Sequence, residues 1–412
     1  MKNKSLTLWP WLSVALLLGI ILRLSFPGDI EYKSDEKYMF EATQRIGVTE
    51  SWPLLGMTSG PGIKNPGMSV WLFVVLAKIT HASTPLELAR AVQLLNILAL
   101  LLLAFFGLRL LTEPERITWF WATAFAAVNP FAVLLQRKIW AQSTLPFFCL
   151  LFWIAWHYRH KRGGAFFWGL LGVCLGQIHM SGFFLAAGVF IWTALYDRRT
   201  KWVASLLGSL AGVIPLIPWL QYLTSKPAGN GFDGLGLLSL QHLRFWRYWV
   251  TDSLGIGLSY SLGKPGFMDF LRYPVIGGTP TYLVAVLHAV IILIGLFILV
   301  SAIKTGGLWK AFKNSTETGL AVNAVLLGTG LLMSLSGFEL FRHYLMVSFP
   351  LEWVWLSRIG LCDSRWGQKC LILMGVAQLL ISISFLAYIH INHGAPLGDY
   401  GTAYQFQSGS AQ

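Results

Sequence analysis

Between Trp9 and Ile389 the sequence returns repeatedly to apolar runs about as long as a bilayer core is thick, roughly 20 residues each. Little else folds from such a chain, because unpaired backbone cannot face lipid. Only 12% of the residues are charged, against about 25% in soluble domains, and 55% are hydrophobic. The fold class read from this is all-α, a polytopic transmembrane helical bundle of about 11 spans. No polar stretch between the runs is large enough for an independent soluble domain, so 1–392 is read as one integral domain. The remainder, 393–412, is a polar, glycine-rich external tail and is expected to be mobile.

The opening "MKNKSLTLWPWLSVALLLGIILRLSFPGD" has lysines ahead of an apolar stretch, as a signal peptide does. The stretch exceeds the roughly 7–15 residues of a signal core and Pro27-Gly28 follows without an A-x-A site, so a retained first helix is expected. Cys149 and Cys174 lie inside apolar runs, and Cys362 and Cys370 flank a basic loop at a spacing that fits no zinc motif.

Loops rich in Lys and Arg stay in the cytoplasm. Here they are 109–116, 158–164, 197–201, 304–314 and 358–369, which with Lys2 and Lys4 hold about half of the 31 basic residues and only four of the acids, Glu113, Glu115, Asp197 and Asp363. With these inside, spans are expected near 8–26, 92–111, 117–135, 140–157, 165–177, 181–196, 202–223, 279–303, 317–335, 341–357 and 369–389. The runs 165–177 and 181–196 are too short to cross alone, and "GQIHMSG" between them marks a break buried in protein. The short run 67–79 is read as re-entrant or interfacial, since counting it as a crossing would turn the basic loops outside.

Two long external segments follow, 27–91 and 224–278, both suited to amphipathic juxtamembrane helices. "LRFWRYWV" (243–250) has the composition of an interfacial helix with tryptophans at headgroup depth. The formal charge of +13 is largely accounted for by the cytoplasmic loops, which speaks against nucleic acid as a partner; the bilayer and its anionic headgroups are the partners it suits.

The segment 27–91 is the acidic part of the molecule, with Asp29, Glu31, Asp35, Glu36, Glu41 and Glu50. One reading is local: Ser34 caps a helix, Asp35 and Glu36 suit its dipole, and Tyr38, Met39, Ala42 and Ile46 form one face along the membrane. The other is chemical. The same side presents Lys64, "QRKIWAQ" (136–142) and "FELFRHY" (338–344), so carboxylates and cations converge. A polyprenyl phosphate is a stable leaving anion that needs cations, not an acid, and an attacking hydroxyl needs one base. Arg137 and Lys138 also fit interfacial anchoring, Arg342 a pair with Glu339, and His179 a satisfied group in a helix break. Glu352, costly inside an apolar run, is expected to pair within the bundle.

A first apolar helix, an external "DE" opening a short helix, "GPGIKNPGMSVWLFVVLA", "NPFAVLLQRKIWAQSTLPFFCLLFW", "GLLGVCLGQIHMSGFFLAAG" and "RHYLMVSFPLEWVWL" occur in that order over roughly 1–360. This resembles the GT-C glycosyltransferases, in particular the protein O-mannosyltransferase, lipid A aminoarabinose transferase and lipopolysaccharide-core transferase relatives. The resemblance implies an inverting transfer of a sugar from a polyprenyl-phosphate donor to an envelope lipid or glycan acceptor, on the periplasmic side of a bacterial-type inner membrane. Asp35 would be the base with Glu36 beside it, and Lys64, Arg137, Lys138, Arg342, His343 and Tyr344 the donor-phosphate binders. "GPGIKNPG" replaces the family's more usual His-Pro-Pro loop, and Gln142 stands where many relatives carry an acid. Without that acid no obligatory metal or other cofactor is expected. The competing reading is a transporter or lipid-linked sugar flippase, against which the chain shows neither related halves nor midplane charge.

Overall fold

A computed structural model describes residues 9–59, 62–225, 243–363 and 365–407. Lys2, Lys4, residues 226–242 of the second external segment and the last five residues lie outside it. The described chain is all-α, with three two-stranded hairpins in the segments between its helices. Five helical stretches are long and apolar enough to cross a membrane: 85–110, 202–225, 283–304, 317–335 and 367–391. The remaining expected crossings fall on helices of 10 to 17 residues. At 1.5 Å per residue these fall short of a core of roughly 30 Å, so the expected count of about 11 does not rest on helix length.

The chain begins with α1 (Trp9–Leu24), α2 (Ser34–Arg45), a hairpin of β1 (Leu55–Thr58) and β2 (Lys64–Pro66), and α3 (Met68–Thr80). Then come α4 (Pro85–Phe105), α5 (Glu113–Val128), α6 (Pro130–Leu135), α7 (Ala141–His157), α8 (Arg162–Ile178) and α9 (Ser181–Tyr196). Pro130 starts α6 because Asn129 caps it, its Oδ1 accepting from the N–H groups of Phe131 and Ala132, both at 3.1 Å. The expected single span 117–135 is therefore two helices with a corner.

α10 (Trp202–Val213) packs lengthwise on α8 through small residues. A Cβ on Gly169 would sit 2.0 Å from Ser205 O, and one on Gly208 1.9 Å from Phe166 O, so only glycine allows the backbones this close. α8 stops at Ile178 and α9 starts at Ser181, with His179 buried between them. The imidazole satisfies the break by a 2.7 Å bond between Nδ1 and Ser181 Oγ.

After α11 (Ile217–Ser225) come α12 (Arg244–Ser253), α13 (Ser259–Arg272), the hairpin β3 (Val275–Ile276) and β4 (Thr279–Pro280), and α14 (Leu283–Lys304). α12 departs from the interfacial expectation: Phe245 and Trp249 are fully buried, and Trp246 Nε1 donates to Leu326 O at 2.9 Å. Its aromatic face looks into the bundle, because the helices after it leave a slot there. These are α15 (Gly307–Ala311), α16 (Glu317–Asn323), α17 (Gly330–Leu335), α18 (Leu351–Gly360) and α19 (Gly367–Ile391).

The tail 394–407 folds back where mobility was expected. The hairpin β5 (Gly394–Ala395) and β6 (Gly401–Thr402) precedes α20 (Tyr404–Gln407). Tyr404 N–H donates to Ile30 O at 3.0 Å, Gln405 N–H to Gly28 O at 3.1 Å and Tyr400 N–H to Ser261 O at 2.8 Å. Tyr400 is buried and its hydroxyl donates to Asp29 O. Polarity suggested a free tail, but its backbone donors have partners in the acidic loop and its aromatic ring has a pocket.

The basic loops gather at one end of the bundle. Arg159 bonds Asp197 at 2.6 Å and Glu317 at 3.2 Å, Glu115 accepts from Thr318 N–H at 2.9 Å, and Asp363 accepts from Ser301 Oγ at 2.7 Å. The acidic loop, the 136–142 turn, the 338–344 turn and the tail gather at the other.

Candidate functional site

Residues 29–33 link α1 to α2 outside any regular element and carry three charged side chains, Asp29, Glu31 and Lys33. Asp29 is buried and accepts from His390 Nδ1 at 2.8 Å and Gln405 Nε2 at 2.5 Å. Glu31 is buried between two ammonium groups, Lys138 Nζ at 2.5 Å and Lys33 Nζ at 2.8 Å. Lys33 also meets Asp399 Oδ1 at 3.0 Å.

α2 starts directly after Lys33 rather than after Ser34, and Glu36, not Ser34, serves its first turn, with Oε2 accepting from Lys33 N–H at 3.0 Å. The buried face of α2 is Glu36, Met39, Ala42 and Thr43. Tyr38, expected on that face, is 37% exposed instead, because the helix turns Glu36 inward toward Glu31 and Lys138. Burial, and then the Glu31 carboxylate, push the Glu36 carboxyl up to about 7, against the pull of Lys138. Burial also raises the Glu31 carboxyl, opposed by its two lysines.

Beside this cluster opens a cavity of about 840 Å³. Its polar end carries Asp35, Asp399, Tyr260 and His343, and its flanks are aromatic and aliphatic, with Trp140 and Trp219 among them. Asp35 is half-buried, one residue from Glu36 but on the cavity side of α2, and its carboxylate accepts from Ser34 Oγ at 3.4 Å. Tyr260 and His343 bond through hydroxyl and Nδ1 at 2.9 Å. Tyr344 lines the wall next to them, and Gln142 faces the same space.

The six cations and donors expected around a phosphate are not in one place. Arg137 is buried and caps the end of α1, its Nη1 donating to the carbonyls of Leu22 at 2.9 Å and Ser25 at 2.6 Å and its Nη2 to that of Phe26 at 3.0 Å. Lys138 is behind the wall, paired with Glu31 and 3.7 Å over the Trp140 ring. Arg342 pairs with Asp252, not Glu339, and lies 4.8 Å over the Tyr248 ring. Glu339 is taken by Arg244 at 2.8 Å. None of these three cations lines the cavity. Lys64 is exposed on β2, between the wall residues Ile63 and Asn65, while its carbonyl accepts from Trp219 Nε1 at 2.7 Å. Glu352 bonds Ser348 Oγ at 3.1 Å, and among the described residues no cation pairs with it, contrary to the pairing expected within the bundle.

Sequence reasoning missed Asp399, Tyr260 and the pair Glu31–Lys138. Nothing local marks Asp399 or Tyr260, whose place depends on the tail folding back. Among the described residues no group of three or more His, Cys, Asp or Glu side chains is placed to hold a metal ion.

No family model and no curated protein matches the chain. Two solved structures are similar to it. One is the oligosaccharyltransferase of Archaeoglobus fulgidus in the apo form, 14% identical at a TM-score of 0.48, with 98% of this chain and 56% of that one covered. The other is the archaeal oligosaccharyltransferase AglB from Archaeoglobus fulgidus in complex with an inhibitory peptide and a dolichol-phosphate, 14% identical at a TM-score of 0.44, with 95% and 55% covered. This chain spans a little over half the length of either.

Proposed function

We propose that this protein is an inverting membrane glycosyltransferase that moves a sugar from a polyprenyl-phosphate donor to an envelope lipid or glycan, at the external face of a bacterial-type inner membrane. The observation that carries the reading is Asp35 on the wall of a roomy cavity whose other surfaces are largely apolar. A prenyl chain suits the apolar flanks, and a sugar suits the polar end.

In the reaction the acceptor hydroxyl attacks the anomeric carbon as Asp35 takes its proton. The anomeric carbon–oxygen bond to phosphate breaks on the opposite face, and polyprenyl phosphate leaves as an anion that needs no proton. Lys64 at the edge, with His343 and Tyr344 on the wall, supplies positive charge and hydrogen bonds to that phosphate. Glu36 holds the start of α2 and so the carboxylate of Asp35. Lys138, Arg137 and Arg342 support the walls from behind. Each step uses protein groups alone.

The test is Asp35→Asn, assayed with a polyprenyl-phosphate sugar by release of polyprenyl phosphate. Asn keeps the size of the side chain but cannot accept the proton, so transfer should fall about 10²–10⁴-fold. The thermal midpoint should hardly move, because among the described residues Asp35 has no buried partner to lose. Full transfer by Asp35→Asn would remove the base from the scheme.

A further inference from the structure

A second carboxylate reaches the cavity from the far end of the chain. Asp399 sits in the turn between β5 and β6, and that turn is built to hold it in place. Before it, Gly398 lies so close to α13 that a Cβ would be 2.3 Å from Leu262 O. After it, Tyr400 is buried, with its N–H on Ser261 O and its hydroxyl on Asp29 O. Lys33 binds Asp399 through both the backbone carbonyl and Oδ1, which fixes the side chain. The carboxylate nevertheless stays 43% exposed, and it faces the cavity that Asp35 and Tyr260 also line. Among the described residues, Lys33 is its side-chain partner, through one oxygen.

An oriented carboxylate with an accessible oxygen, near Tyr260 in a cavity that Trp140 also lines, is a common way to grip a sugar: the carboxylate accepts from hydroxyls and the rings cover the apolar face. We propose that Asp399 is a substrate-binding residue that accepts hydrogen bonds from the hydroxyl groups of a sugar in this cavity. The inference rests on the glycosyltransferase reading and adds a residue to it. Asp35 handles the proton, and Asp399 holds the sugar that must be aligned with it. The sugar is either that of the donor or that of a glycan acceptor, and kinetics tell these apart.

The experiment uses the full-length protein in detergent or nanodiscs, with Asp399→Asn, Asp399→Leu and Lys33→Gln measured beside wild type. Initial rates are recorded while donor and acceptor are varied separately. Asp399→Leu should raise KM about 10–100-fold for one substrate, the span of a lost charge-assisted hydrogen bond, and Asp399→Asn should raise it less. A rise confined to the donor identifies the donor sugar; one confined to the acceptor identifies the acceptor. Binding of polyprenyl phosphate without a sugar should be the same in all variants. Lys33→Gln keeps the carboxylate but releases the oxygen that Lys33 holds, so it should raise the same KM by clearly less than Asp399→Leu does. If Asp399 only holds Lys33 and the loop, Lys33→Gln and Asp399→Leu will instead show the same change with a lower thermal midpoint, and the proposal falls. Unchanged KM values in Asp399→Leu overturn it as well. Wild-type protein that transfers no sugar from any polyprenyl-phosphate donor overturns the glycosyltransferase reading and this inference with it, a result distinct from active wild type with indifferent Asp399 variants.

Discussion

At the scale of single residues, Glu36 gives the sharpest consequence. Its carboxyl is held up to about 7 by burial and by Glu31, while in the unfolded chain it titrates near 4.5. Between those values the folded state binds the extra proton, so its contribution to stability is full below pH 4.5 and is lost as pH rises through about 7. Thermal midpoints of wild type in detergent should therefore fall across that window. Glu36→Gln keeps an oxygen for Lys33 N–H and has no proton to lose, so its midpoint should fall less over the same pH range and exceed wild type at pH 8. A residual slope is expected, because burial raises the Glu31 carboxyl too. Parallel wild-type and Glu36→Gln curves would mean that Glu36 does not titrate there.

At the scale of elements, the basic pair Arg137 and Lys138 divides between two jobs that their adjacency in sequence hides. Arg137 ties the end of α1 to the corner after α6 through carbonyls that no helical N–H can reach. Arg137→Ala takes a donor from the buried carbonyls of Leu22 and Arg23 and the half-buried one of Ser25, at about 1–3 kcal/mol each, so it should lower stability by about 3 kcal/mol or more. Donor affinity of the protein that remains folded should be near normal. Lys64→Ala should do the reverse, with an unchanged thermal midpoint and a donor KM higher by about 3–10-fold, the range of a lost exposed charge contact. Chemical denaturation together with donor titration checks both, and a large loss of donor affinity with normal stability in Arg137→Ala would return that residue to the phosphate.

The same division shows which parts were legible in the sequence. Lengths of apolar runs locate α9 and the helix 317–335 to the residue, because polar groups or glycine bound those runs. They do not resolve the corner at Asn129, whose neighbours are apolar on both sides, nor the facing of α12, where aromatic residues suit lipid and core equally. The residue types of a site are visible in sequence. Which cation is already engaged by a carbonyl or carboxylate depends on contacts between residues over a hundred positions apart, as with Arg137 and Ser25.

At the scale of the whole molecule, charge separates the two ends. Loops 109–116, 158–164, 197–201 and 358–369, far apart in sequence, are joined through Arg159, Asp197, Glu317, Thr318 and Asp363, and Gly319 adjoins Arg358. They therefore belong to one side, and α19, at 25 residues, leads from that side to the end holding Asp29 and the cavity. Positive loops are retained in the cytoplasm, so the orientation we propose has the cavity outside. Ser51 lies on the exposed acidic segment, and Gly163 is exposed at the opposite end with room for a Cβ, nothing lying within 4 Å of it. Ser51→Cys and Gly163→Cys should both fold, and a membrane-impermeant maleimide added to intact cells should label the first and spare the second. Permeabilised cells should show labelling at both, with the four native cysteines as the background to subtract. Labelling of position 163 and not of 51 in intact cells would turn the molecule over and place the cavity in the cytoplasm, where an external acceptor could not reach Asp35.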